Sequence, residues 1–293
     1  MITRFAPSLT GFLHMGHVLH MIYVWGLARK LGAQVLCRIE DHDLSRARPE
    51  YEIAIFQTLE WLGFFPDLGI SGPDEKPSEF RQSDGSEFYQ SVLDVLEKRG
   101  LVYGCACTRK QIAETQPDGA QELCYSGTCA DKELPLEGNT VRFRTLENET
   151  IFEDLKLGKQ CQIPWLQCGD FSLRDRQGQW TYQFACVCDD IRHGVDLVVR
   201  GEDILFSTAR QIQLFQTLEK PAPRYFHHPL IVDNTGQKLS KRQRSESISQ
   251  LRESGISSEE VIGRAAHLGG LISEFFPVSA EEAMGMISLP DNN

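Results

Sequence analysis

The N-terminal order of strand, glycine-bearing loop, helix and strand constrains this chain more than any other feature. Met1 to Ala6 reads as a short strand ending at Pro7. From Gly16 to Lys30, Val18, Leu19, Ile22, Tyr23 and Leu27 recur at helical spacing, and Gly32 closes the helix. Gln34 to Ile39 is a second strand, apolar as parallel buried strands are, and it runs into Glu40, Asp41 and Asp43. Such a βαβ unit calls for a parallel sheet covered by helices, with its ligand at the carboxyl ends of the strands, where Ala6 and Ile39 stop. The expected fold class is therefore α/β: a Rossmann-like parallel sheet, with an α+β insertion and a short helical C-terminal region.

Further along, Pro49 opens a helix carrying Ile53, Phe56, Leu59 and Leu62 before Gly63, and another helix spans Ser86 to Lys98. Strands are predicted at Thr140 to Arg144, Gln160 to Cys168, Gln179 to Cys188 and Val195 to Arg200, the last two joined by a turn at His193 and Gly194. Ser207 is expected to cap a helix with Ile212, Leu214, Phe215 and Leu218. From Ser245 the pattern is helical, and Ser257 with Glu260 and Ser279 with Glu282 fit capping boxes. The organisation predicted is a first half of the Rossmann-like domain at 1–100, an inserted subdomain at 101–178, a second half of that domain at 179–244 and a helical region at 245–293. That last region has no room for a separate nucleic-acid-binding domain of ordinary size.

A chain of 293 residues, 41% of them hydrophobic, can bury a substantial core. The N-terminus lacks the apolar core of a secretory signal and no long apolar run follows, so a cytoplasmic protein independent of membranes is expected. A monomer is the separate expectation for its assembly. A net charge of -11 argues against a surface that grips nucleic acid everywhere. Local basic clusters at Arg29 and Lys30, at Arg142 and Arg144, and at Lys238, Lys241, Arg242 and Arg244 leave room for an RNA end. Of nine cysteines, Cys105, Cys107, Cys124 and Cys129 share one short segment. Cys37, Cys161, Cys168, Cys186 and Cys188 are scattered, and the expectation for them is inert core.

Two stretches carry chemistry. Pro7 to His17 reads PSLTGFLHMGH, which sets His14 and His17 at the start of the first helix, where backbone N–H groups point outward. Gly11 and Gly16 allow a nucleotide to approach the backbone, and the two imidazoles can donate to phosphate oxygens. Far along the chain, Asp233 to Gln237 reads as a tight turn that presents Lys238-Leu239-Ser240-Lys241-Arg242. Lysines there can neutralise a pyrophosphate leaving group. Together these suit a nucleoside triphosphate.

HMGH and KLSKR resemble the two signatures of class I aminoacyl-tRNA synthetases. RFAPSLTGFLHMGH, RIEDHD (Arg38 to Asp43), TYQFACVCDD (Thr181 to Asp190), RGEDIL (Arg200 to Leu205), HHPLI and KLSKR together are similar in order and spacing to glutamyl-tRNA synthetases, over about residues 1 to 245. The resemblance implies that Arg4, Ser8, Glu40, Tyr182 and Arg200 bind L-glutamate. Two arginines and one acid suit a substrate with two carboxylates and one amine. It further implies ATP as substrate with Mg2+, and catalysis by His14, His17, Lys238 and Lys241, of which His14, His17 and Lys241 bind ATP. His42 departs from the threonine usual at its place and leaves the matched acids intact.

Glutamyl-tRNA synthetases continue into helical domains that read the anticodon, whereas this sequence stops at Asn293. In this it resembles a group of stand-alone catalytic cores that attach glutamate to the queuosine base of tRNA(Asp), with the anticodon loop entering the active site. CxC at Cys105 and Cys107 and YxxxC at Tyr125 and Cys129 resemble the zinc ligands of that group, which implies a structural Zn2+. Softness favours Cys124 as the fourth ligand and the resemblance favours Tyr125, so both stay open. The alternatives are a shortened glutamyl-tRNA synthetase that charges a tRNA 3′ end, and a synthetase-derived binding protein without catalysis.

Overall fold

A computed structural model describes residues 1–290 except 44–45, 74–75, 117–121 and 233–245. β1 (Ile2–Phe5), α1 (Met15–Leu31) and β2 (Gln34–Cys37) form the expected βαβ unit, with β1 and β2 in parallel register from Ile2 opposite Gln34 to Phe5 opposite Cys37. Gly32 ends α1 in the left-handed region at φ 63°, a conformation that costs glycine little. α2 (Pro49–Leu62) starts on its proline, and β3 (Leu68–Gly69) adds to the sheet beside β2.

After α3 (Ser86–Lys98), β4 (Val102–Cys105), α4 (Arg109–Ala113) and β5 (Thr140–Phe143) lead into a hairpin of β6 (Thr150–Asp154) and β7 (Gly158–Gln162). Then come α5 (Pro164–Cys168), β8 (Ser172–Arg174), α6 (Tyr182–Arg192), β9 (Leu197–Gly201), α7 (Ser207–Thr217) and β10 (Arg224–His228). The large sheet has the order β3-β2-β1-β9-β10-β6-β7, parallel throughout except that β7 runs antiparallel to β6, and the fold is Rossmann-like. A separate antiparallel sheet, β4-β5-β8, stands beside it. The β6–β7 hairpin thus joins the large sheet although its residues fall within the segment read as an insertion.

Three local expectations need correction. The segment Gln179 to Cys188 is not a strand, because α6 occupies Tyr182 onward. Every residue from Phe184 to Asp190 is buried, so no polar face interrupts the apolar run and its period is invisible. The predicted strand Gln160 to Cys168 ends at Gln162, and Pro164 opens a short helix in its place. Ser207 is the first residue of α7 rather than its cap, and its hydroxyl accepts from Gln183 Nε2 at 2.8 Å.

The C-terminal helices α8 (Ile248–Glu253), α9 (Ser258–Leu268) and α10 (Ala280–Gly285) belong to the main core. Both predicted capping boxes form, Ser257 with Glu260 and Ser279 with Glu282. α1 is sandwiched between the sheet and these helices. A Cβ on Gly26 would stand 2.5 Å from the Ile287 side chain, and one on Gly269 would stand 2.3 Å from Leu19, so glycine sets how closely the layers approach. No helix of the described residues is long and apolar enough to cross a membrane.

Candidate active site

The carboxyl ends of β1, β2 and β9 open into a cleft of about 480 Å3. It sits where strand order reverses, β1 leading to β2 and β3 on one side and pairing with β9 on the other. Its walls bring together Arg4, Ser8, His14, His17, Glu40, Tyr182 and Arg200 from five separate stretches of sequence.

His14 is the N-cap of α1, and its Nδ1 accepts from the Gly16 N–H at 3.1 Å. His17 Nδ1 accepts from the His14 N–H at 3.0 Å. Each neutral ring therefore keeps its proton on Nε2, as a donor. The capping box that is usually made by Ser and Glu is made here by two imidazoles, 4.0 Å apart. With no acidic side chain in the first turn, the positive end of this helix suits an anion. Gly16 makes the arrangement possible, since a Cβ there would lie 3.0 Å from the His14 ring.

Beneath these rings lies a buried ionic network that sequence reasoning missed. Arg38, wholly buried, donates to Asp190 at 2.7 Å and to Glu40 at 3.1 Å, with Asp189 at 3.7 Å. Arg4 reaches the same Asp190 oxygen through Nε at 3.4 Å and the Val199 carbonyl through Nη1 at 3.3 Å. Burial opposes the charge on both arginines, and the neighbouring acids outweigh it and hold their pKa above the ordinary value. Glu40 is thereby fixed at the cleft wall. The tandem acids that close TYQFACVCDD were the available signal, but their partner Arg38 lies 152 residues away.

Tyr182 begins α6, and its hydroxyl receives Arg200 Nη1 at 3.4 Å. Arg200 also donates to Gln211 at 2.7 Å and to Thr208 at 2.7 Å. Ser8 bridges to Glu40 along the backbone, and its hydroxyl lies 3.1 Å from Thr10. His42 lines the cleft with Nδ1 2.5 Å from Gln82 Oε1. Because Gln82 Nε2 donates to Asp189 at 2.9 Å, the His42 nitrogen is the donor of that pair. His20 and His228 also line the cleft, their rings joined at 3.1 Å, and burial lowers the pKa of His228 to about 4.

Lys238 and Lys241 lie outside the described residues. Of the described residues on either side of them, Ile231 lines the cleft, and the Ile248 N–H donates at 2.9 Å to the carbonyl of Leu13, the residue before His14.

A second cluster stands at the end of the small sheet. The sulfurs of Cys105, Cys107 and Cys129 lie within 4.8 Å of one another, and the Tyr125 hydroxyl is 3.2 Å from Cys105 and 3.9 Å from Cys107. Thiolates sharing one tetrahedral zinc sit about 3.8 Å apart, so these four groups fit such an ion. Cys124 points elsewhere, 3.7 Å from the Trp165 carbonyl. Gly169 bridges to Tyr125 at a φ of 62°, and a Cβ there would stand 1.8 Å from the Tyr125 carbonyl oxygen.

Two expectations about charge and thiols fail. Arg142 is buried, donates to the Asp170 carbonyl at 2.6 Å and covers the Tyr125 ring at 3.7 Å, while Arg144 lies over Tyr103, so this pair braces the small sheet instead of forming a basic surface. Of the scattered cysteines, Cys37, Cys168, Cys186 and Cys188 are buried, but Cys161 is exposed on the edge strand β7.

The family model described as tRNA synthetases class I (E and Q), catalytic domain, matches residues 1–282. The chain is 39% identical to the Glutamyl-Q tRNA(Asp) synthetase of Nitratidesulfovibrio vulgaris, an alignment covering 97% of this chain and 91% of that protein. It is 33% identical to a Glutamate--tRNA ligase of a Sulfurihydrogenibium species, covering 99% of this chain and 63% of the other. The solved glutamate tRNA ligase of Elizabethkingia meningosepticum, in complex with its amino acid, superposes with a TM-score of 0.80 at 28% identity, covering 98% of this chain and 64% of that one. The chain therefore spans less than two thirds of both glutamate ligases.

Proposed function

The chain belongs to the class I tRNA synthetase family of the E and Q enzymes, and from that premise we propose that it activates L-glutamate with ATP and transfers the glutamyl group to the queuosine base of tRNA(Asp). One observation carries the activation step: the imidazoles at the N-terminus of α1 and the set Arg4, Ser8, Glu40, Tyr182 and Arg200 face the same cleft. Donors suited to a triphosphate and groups suited to glutamate thus stand side by side.

An oxygen of the glutamate α-carboxylate attacks the α-phosphorus of Mg2+-bound ATP, and the bond to the β-phosphate breaks to release pyrophosphate. His14 and His17 donate from Nε2 to phosphate oxygens as charge shifts toward the leaving group, and Lys238 and Lys241 neutralise it. Glu40 accepts from the α-ammonium, and Arg200 with Tyr182 holds a carboxylate. A hydroxyl of the queuosine cyclopentene-diol then attacks the activated carbonyl, and AMP departs. Cys105, Cys107, Tyr125 and Cys129 would hold a Zn2+ that braces the small sheet. The choice of acceptor is supported by likeness to Glutamyl-Q tRNA(Asp) synthetases along nearly their whole length.

Glutamate-dependent exchange of pyrophosphate into ATP tests the first step, and its absence in the presence of Mg2+ would leave a binding protein. Glutamylation of tRNA(Asp) with queuosine, and none without it, is the outcome expected for the second. Charging of tRNA(Glu) alone would assign the chain to 3′-end charging. Lys241→Ala should slow adenylate formation by about a hundredfold with little change in glutamate binding, whereas Arg200→Ala should impair glutamate binding first.

A further inference from the structure

Arg200 differs from Arg4 and Arg38 in what holds it. Arg38 is clasped by Asp190 and Glu40, and Arg4 leans on Asp190. Among the described residues, the hydrogen-bond partners of Arg200 are all uncharged side chains: Tyr182, Gln211, Thr208 and His227. His227 stands beside Arg200 in the parallel register of β9 and β10, and its Nε2 receives the Arg200 Nε–H at 3.0 Å. Thr208, which accepts from Arg200 Nη2, is 3.2 Å from that same nitrogen and can donate its hydroxyl to it.

On the far side of the ring, His227 Nδ1 is 2.6 Å from Asp154 Oδ2. Both side chains are wholly buried. Burial alone would raise the Asp154 pKa, but the bond from His227 and the N–H groups of Leu157 and Lys156 hold it below its ordinary value. An ionised carboxylate only accepts, so Nδ1 carries the imidazole proton and Nε2 of the neutral ring is an acceptor. Burial also lowers the pKa of His227 and outweighs the pull of Asp154, which keeps the ring neutral. Protonated, its Nε2–H would oppose both donors.

We propose that Asp154 and His227 are positioning residues for glutamate recognition: Asp154 fixes the His227 tautomer, and His227 Nε2 orients Arg200 while leaving its positive charge for the substrate carboxylate. This rests on reading Arg200 as a glutamate ligand. A carboxylate set directly on Arg200 would orient it equally well, but it would neutralise the guanidinium and compete with the substrate. An imidazole between the two avoids that. The β6–β7 hairpin gains a task accordingly, since it brings Asp154 to the end of the sheet.

The test is glutamate-dependent pyrophosphate exchange with the full chain, comparing His227→Leu, His227→Gln, Asp154→Asn and Arg200→Lys. His227→Leu should raise KM for glutamate at least about tenfold with KM for ATP within about twofold. His227→Gln, which keeps an acceptor toward Arg200, should recover most of that loss, and Asp154→Asn should fall between. Unchanged glutamate KM in His227→Leu, or an equal rise for both substrates, would overturn the positioning role. If His227→Leu does not fold, the glutamine and asparagine variants decide: a rise confined to glutamate and larger in Asp154→Asn supports the role, and equal changes for both substrates reject it. Arg200→Lys separates the two layers. A glutamate KM unmoved by that change would remove the ligand reading itself, whereas a raised one beside a normal His227→Leu would remove only the positioning.

Discussion

The cleft and the thiol cluster solve opposite problems. Around the cleft, Arg200 apart, charge is matched before any ligand arrives: Arg38 lies against Asp190 and Glu40, and Asp189 takes bonds from Tyr89, Gln82 and Arg192. At the small sheet three sulfurs and a phenol converge on one another within a satellite core whose buried members are Tyr103, Cys105, Tyr125 and Cys129. A site whose charges are paired internally keeps its shape when empty. A site of converging soft donors depends on what they bind. The protein thus holds one region whose charges are largely paired within it and one where soft donors converge.

The comparison breaks most directly at Arg38. Arg38→Ala leaves Asp190 and Glu40 without their principal cation in the interior and should cost about 3–5 kcal/mol in denaturant unfolding. A loss below about 1 kcal/mol would mean the network is not what holds the cleft. Acid probes the same region next. The folded-state pKa of His228, about 4, lies below its ordinary 6.5, so its contribution is whole above pH 6.5 and is lost as protons bind the unfolded chain toward pH 4. Thermal melts should show His228→Asn escaping a decline on the order of 3 kcal/mol over that window.

Two measurements sharpen the other half. Gly169→Ala pushes a Cβ into the Tyr125 carbonyl and should destabilise the chain by at least about 2 kcal/mol, with hydrogen exchange rising first in the small sheet. Stripping metal with a chelator should loosen the same sheet while glutamate-dependent pyrophosphate exchange stays within about twofold. Equal loss of exchange would show that the two regions are coupled. The smallest effect belongs to Cys161→Ser, within about 0.5 kcal/mol, because that thiol is exposed on an edge strand.

Legibility followed the range of the interactions. Helix ends were readable where the cap is local, as at Ser257 with Glu260 and Gly32 after α1. The βαβ unit was readable because its spacing and its loop are contiguous. α6 was misread since burial on all sides erased its period, and Arg142 was misread because a guanidinium stacked on Tyr125 has the same letter as one in water. Of the hairpin that lengthens the large sheet only Gln160 to Gln162 was legible as strand, and its place in the sheet was not, for its pairing partner β10 lies far along the chain.

The sequence by itself determined the kind of fold, the place of the histidines at a helix start and the residue types available for glutamate and for a metal, because these depend on neighbours within a few positions. Tertiary structure alone decided that Arg38 is clasped by acids while Arg200 rests on a neutral imidazole backed by Asp154. The reason is physical: the protonation state and orientation of a buried group are set by the partners that replace its water, and here those partners come from strands and helices distant in the chain.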